Sequence, residues 1–274
     1  MMKSNALHYE CSGSGDDVLL IHGWGSSSRM WASTMKVLAH HVRLWAIDLS
    51  GFGLSSPTQG ESSIDRHAAE VIDFCQLHNV KPKAIIGHSM GGMVTLKAAL
   101  AKPELAERLV LVCPYVAGHL GFRGLYPFFR RLKTNGFINR LEVGEKIARS
   151  EAVGNLMLTL RFRGQQTIGQ QIVGDLQRMD WQTGIHDLRS MAHTQMGDGL
   201  TKIQQPTLVV VGGRDTTVSP HEGRRLAEKL PNAHLIEFPQ ARHRVMDEEL
   251  MQFCELLRPF LISETPPQDV KAVL

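Results

Sequence analysis

One serine stands where it could do chemistry. In Ala84-Ile85-Ile86-Gly87-His88-Ser89-Met90-Gly91-Gly92, a G-x-S-x-G pattern follows a short apolar run directly and opens a helix-period segment. Between a strand and a helix, such a turn is tight enough to strain the serine backbone and lift its Oγ clear of the sheet. Gly87 and Gly91 remove side chains that would clash across it. A serine hydroxyl is a poor nucleophile near neutral pH, so it needs a base, and the base needs an orienting acid. Asp215 stands in Gly212-Gly213-Arg214-Asp215, just past the apolar run Leu208 to Val211, and His243 lies in the loop after Leu235 to Phe238. Of the 13 histidines, His234 falls at a strand start and His221 in a helix, which leaves His243 in the loop the base requires. Asp215 also fits a helix cap, but the rival position for the acid, just past Val112, holds Cys113-Pro114. Asp247 opens the final helix. The oxyanion of a tetrahedral intermediate needs backbone N–H donors. Met90, at a helix N-terminus, and Trp24, in His22-Gly23-Trp24-Gly25, are the candidates. His22 is expected to hold that loop by a structural hydrogen bond.

These groups must be carried by a frame. Val18 to Ile21, Leu44 to Ile47, Ala84 to Ile86, Leu109 to Val112, Leu208 to Val211 and Leu235 to Phe238 are short apolar runs without alternation, as strands buried on both faces of a parallel sheet require. Helix-period segments lie between them: Ile64 to Cys75, capped by Ser62 or Ser63; Met90 to Lys102, stopped by Pro103; His221 to Leu230; and Val245 to Leu261. The alternation predicts a mostly parallel, doubly wound α/β sheet. It fails between about Tyr115 and Leu200, which predicts a helical cap over residues 115–200 inserted into a core of residues 1–114 and 201–274.

The composition is that of an ordinary globular protein, with 274 residues, 43% hydrophobic and 21% charged. A net charge of +3 gives no reason to expect nucleic acid. No apolar run is long enough for a bilayer, and the first residues lack a secretory signal's apolar stretch. Four scattered cysteines, without a C-x-x-C pair, read as reduced thiols; the expected location is cytoplasmic. No close histidine spacing suggests a metal. The cap is distinctive in charge: from Arg123 to Arg163 there are nine basic residues against three acidic ones. That is first of all what a solvated helical surface looks like.

The sequence resembles the α/β-hydrolase superfamily, in its cap-bearing serine-esterase branch. The resemblance rests on H-G-W-G at 22 to 25, D-L-S-G-F-G-L-S at 48 to 55, G-H-S-M-G-G at 87 to 92, G-G-R-D at 212 to 215, and His243. It implies that Ser89 is the nucleophile, His243 the general base and acid, Asp215 the orienting acid, and Trp24 and Met90 the oxyanion donors, with no metal or organic cofactor. Relatives that open epoxides or displace halide have Asp at the elbow; a serine implies carbonyl attack and a carboxylic ester substrate. The family often has Gly before its histidine, where this chain has Arg242. Tyr115, Phe122, Tyr126 and Trp181 are candidates to line the pocket, which suits an apolar or aromatic acyl group. The H-G-W-G loop and basic cap also resemble bacterial esterases that remove a methyl ester from a pimeloyl group on acyl carrier protein. That likeness implies an acidic carrier protein as partner, steered by Arg130, Arg131, Lys133, Arg140 and Arg149. C–C hydrolases of vinylogous diketones, carrier-linked thioester hydrolases and triad-retaining small-molecule receptors share the layout and remain alternatives.

Overall fold

The apolar runs become strands because each alternate side chain finds a different layer of helices to bury against. In the computed structural model, which describes residues 6–116 and 166–263, seven strands form one sheet: β1 (Tyr9–Ser12), β2 (Asp17–Ile21), β3 (Arg43–Ile47), β4 (Pro82–His88), β5 (Arg108–Val112), β6 (Thr207–Gly212) and β7 (Ala233–Phe238). Their order is β1-β3-β2-β4-β5-β6-β7, and every pairing is parallel except β1 with β3. Leu19, Ile21, Ile85, Leu109, Leu111 and Val209 point to one apolar layer; Val18, Leu20, Ile86, Val110, Val112 and Val210 point to the other. The first layer is closed by α2 (Ile64–Leu77), α3 (Met90–Ala101) and α6 (Pro220–Lys229). The second is closed by α1 (Ala32–Leu38), α7 (Val245–Glu248) and α8 (Leu250–Ile262). Burial on both faces is what makes these strands read as unbroken apolar runs.

Two details differ from expectation. β1 carries no apolar run; Glu10, Cys11 and Ser12 are exposed, as an antiparallel edge strand allows. The final helix is broken at Glu249, whose φ of −129° and ψ of 45° separate α7 from α8. Between β5 and β6 the chain contributes α4 (Gln166–Arg178) and α5 (Trp181–His193). Leu188 and Met191 of α5, with Met179 from the link between the two helices, join the first layer. Phe122, Tyr126, Arg130, Arg131, Lys133, Arg140 and Arg149 lie outside the described residues. Among the described residues, no helix is long and apolar enough to cross a membrane.

Candidate active site

The turn at Ser89 joins the end of β4 to the start of α3. Ser89 has φ 52° and ψ −114°, a conformation that costs a residue with a Cβ. Three backbone bonds hold it there: Ser89 N–H donates to Val112 O at 2.9 Å, and its carbonyl accepts from Gly92 N at 3.0 Å and Tyr115 N at 3.2 Å. The glycines on either side are sterically required. A Cβ on Gly87 would lie 2.3 Å from Gly91 O, and one on Gly91 would lie 2.5 Å from Ile21 O.

Asp215 and His243 arrive from the loops after β6 and β7, beside this turn. His243 Nδ1 and Asp215 Oδ2 are 2.6 Å apart. The other carboxylate oxygen accepts from the N–H groups of Thr217, at 2.7 Å, and Val218, at 3.0 Å. The carboxylate is therefore fixed by two backbone donors, and it orients the imidazole through Nδ1, leaving Nε2 as the nitrogen away from the acid. Ser89 and His243 line one cavity of about 190 Å³. His88 adds a second restraint, its Nε2–H donating to the carbonyl of His243 at 2.8 Å. Burial, and then the neighbouring His243, hold His88 well below the ordinary histidine range, so it stays neutral. Asp215→Asn preserves the shape but offers Nδ1 the wrong partner. It is expected to lower kcat by about 10³–10⁴-fold with little change in KM, checked by steady-state kinetics on a 4-nitrophenyl ester.

The loop after β2 brings Trp24 to the same cavity. Leu49 N–H donates to His22 Nε2 at 3.0 Å, so the proton sits on Nδ1, which donates to Gly23 O at 2.8 Å. Burial lowers the pKa of His22, and its place in the loop is structural. Met90 is the first residue of α3. Among the described residues, neither its backbone N–H nor that of Trp24 is engaged by another group.

Tyr115 lines the cavity together with Met30, Ile172, Leu188, Met191 and Val218. Trp181 meets the wall residue Trp24 edge-on, with ring centroids 6.4 Å apart. Arg242 is exposed, and the arginine in the wall is Arg244, on the other side of His243. Cys113, Asp215 and His243 have ligand atoms within 4.8 Å of one another. Burial, followed by the charge of Asp215, pushes the Cys113 thiol far up. An ion there would have to break the Asp215–His243 bond and take a thiolate that this site disfavours.

A second Ser/His/Asp group, invisible in the sequence pattern, lies elsewhere. His67 Nε2 is 2.8 Å from Asp187 Oδ2, His67 Nδ1 is 2.9 Å from Glu70 Oε2, and Ser62 Oγ donates to Asp187 Oδ1 at 2.6 Å. The serine hydrogen is directed to the carboxylate, and both ring nitrogens face acids, so no base is available to Ser62. Nor is there access: His67 and Asp187 are fully buried. This group ties α5 to α2. A matching anchor ties α4 to the loop before α1, where the buried Asp175 accepts from Ser27 Oγ at 2.9 Å and from Arg29 Nη2 at 2.5 Å. Trp24 Nε1 adds a bond to Gly184 O at 2.8 Å.

Comparison with known proteins bears on the fold and the family. The pimeloyl-[acyl-carrier protein] methyl ester esterase of Aliivibrio fischeri (strain MJ11) is 28% identical over 265 residues, covering 94% of this chain and 98% of its own length. Among solved structures, an esterase from Thermogutta terrifontis superposes with a TM-score of 0.73 at 24% identity, covering 93% of this chain and 92% of that one. The enol-lactonase from Burkholderia xenovorans LB400 gives 0.75 at 21% identity, covering 94% and 96%. A family model described as alpha/beta hydrolase fold matches residues 17–250, a span that takes in the loop after β2, the serine turn, Asp215 and His243, and the chain belongs to that family.

Proposed function

We propose that this hydrolase cleaves a carboxylic ester by acyl transfer through Ser89. The reading rests on one observation: a serine at φ 52° shares a cavity with a histidine whose far nitrogen is held by a carboxylate at 2.6 Å. Ser89 Oγ attacks the ester carbonyl carbon as His243 Nε2 takes its proton. The oxyanion is met by the N–H groups of Trp24 and Met90. The intermediate collapses with loss of the alcohol, which receives the proton from His243, and leaves an acyl-enzyme. Water, deprotonated by His243, then attacks the acyl carbon; the acid departs and Ser89 regains its proton. The apolar wall of Met30, Ile172, Leu188, Met191 and Val218 suits an apolar acyl group, with α4 and α5 acting as part of a cap over residues 115–200.

Hydrolysis of 4-nitrophenyl esters from acetate to decanoate tests this. A burst equal to the enzyme concentration, followed by a steady rate, is expected, and the optimum chain length sizes the pocket. Folded protein that turns over none of them would sink the reading for simple esters and favour a C–C hydrolase, a carrier-bound substrate or a receptor. A carrier-bound methyl ester is a second candidate substrate. It is supported by the name of the Aliivibrio fischeri relative and by the nine basic against three acidic residues from 123 to 163. If an acidic carrier docks there, kcat/KM on the carrier-bound ester falls with added salt and with charge reversal at Arg130 and Arg131.

A further inference from the structure

We propose that Arg244 is the specificity-determining residue of this cavity, binding a second oxygen of the substrate, a carbonyl or carboxylate oxygen a few bonds from the scissile ester. The proposal rests on the ester reading above and names the substrate class for that site.

Arg244 follows His243 and lines the cavity. Its side chain is only 11% exposed. Nε is spent on Asp247 Oδ2, whereas Nη2 is buried with no hydrogen-bond partner among the described residues. A guanidinium carries five donors in a rigid planar fork, and native proteins rarely bury one of them unmet. Nor does the rest of the wall meet it, since Trp24, Met30, Ile172, Leu188, Met191 and Val218 present mainly apolar surface. Among the described residues, two other buried polar atoms of the same wall also lack partners: the Tyr115 hydroxyl and His88 Nδ1. His88 Nδ1 can only accept, because Nε2 holds the proton it donates to His243 O. An alkyl ester would leave all three atoms unmet. A substrate with a further oxygen would satisfy the strongest donor among them, and an oxygen acceptor on a guanidinium is the pairing that fork geometry favours. Asp247 already balances the charge of Arg244, so the oxygen can belong to a neutral carbonyl or to a carboxylate.

The test uses three acyl groups of equal length: methyl hexanoate, dimethyl adipate and monomethyl adipate. The wild-type enzyme is expected to favour at least one adipate over methyl hexanoate by tenfold or more in kcat/KM, about what one charge-assisted hydrogen bond supplies. Preference for dimethyl adipate identifies a carbonyl, and preference for the monoester a carboxylate. In Arg244→Met the ratio of that adipate to methyl hexanoate is expected to fall at least tenfold, mostly through KM. A lost contact with Asp247 lowers all three rates together and leaves the ratio alone, so the ratio separates recognition from structure. A wild-type preference below tenfold for both adipates overturns the proposal without any variant, as does a ratio in Arg244→Met that falls by less than tenfold. Turnover of 4-nitrophenyl butyrate by the same preparation tells the two failures apart: activity there without adipate preference removes only the role of Arg244, whereas inactivity on every ester removes the esterase reading with it.

Discussion

Ser89→Ala is expected to reduce turnover of 4-nitrophenyl butyrate by about 10⁴–10⁶-fold while the protein melts as the wild type does. The size follows from what remains. Asp215 and His243 stay bonded, and the N–H groups of Trp24 and Met90 stay in place, yet no atom is left to form the acyl-enzyme. Direct attack by water, helped only by binding and the proposed oxyanion donors, is the expected source of the residual rate. The fold is spared because alanine, like serine, carries a Cβ at φ 52°, and the three backbone bonds that hold this turn use no side-chain atom. The decisive measurement is a single-turnover assay on protein matched by circular dichroism. Retention of more than about 1% of the rate would mean that another group attacks the ester.

Asp187→Ala is expected to destabilise the protein by about 3–5 kcal/mol, the cost of leaving a buried charge without its partner, and so to lower Tm by about 10 °C. Burial alone would lower the pKa of His67, but Asp187 and then Glu70 outweigh it and raise it to about 9. The imidazolium is thus the folded form at neutral pH, donating from both nitrogens. Because the folded pKa lies above the unfolded value near 6.5, the stabilisation is fully present below about pH 6.5 and is lost as pH rises toward 9. The stability gap between wild type and His67→Gln should therefore be widest near pH 6 and should narrow by pH 9.5, read by urea denaturation at each pH. A gap that is flat across that range would show that His67 is buried neutral and that its contacts are ordinary hydrogen bonds.

Much of the frame could be read directly because burial writes itself into runs of one residue type. Val18 to Ile21 and Leu208 to Val211 bury every side chain, so nothing polar interrupts them. The serine turn was legible for a related reason, since its glycines answer contacts within the same few residues. β1 was not, because an exposed edge strand needs no apolar run. The break at Glu249 was hidden by a continuous apolar periodicity through α7 and α8. The anchors of α4 and α5 were the least visible. Asp175 meets Ser27 and Arg29, and Asp187 meets Ser62 and His67, across 120 or more residues of chain, and a lone Asp in a helix carries no mark of such a partner. Two arginines flank His243, and only the path of the loop decides that Arg242 faces solvent while Arg244 faces the cavity.

The backbone at residue 89 sets two demands on the chain against each other. The mirror image of φ 52° and ψ −114° is an ordinary extended conformation, so glycine would adopt the observed one without penalty. Serine holds it only because the surrounding bonds leave no alternative, at a cost of about 1–3 kcal/mol. Selection for thermal resilience alone would therefore drift toward glycine at this position and remove the hydroxyl proposed as the nucleophile. That cost is small beside the burial of apolar side chains on both faces of the sheet, which is what lets the chain carry a serine here.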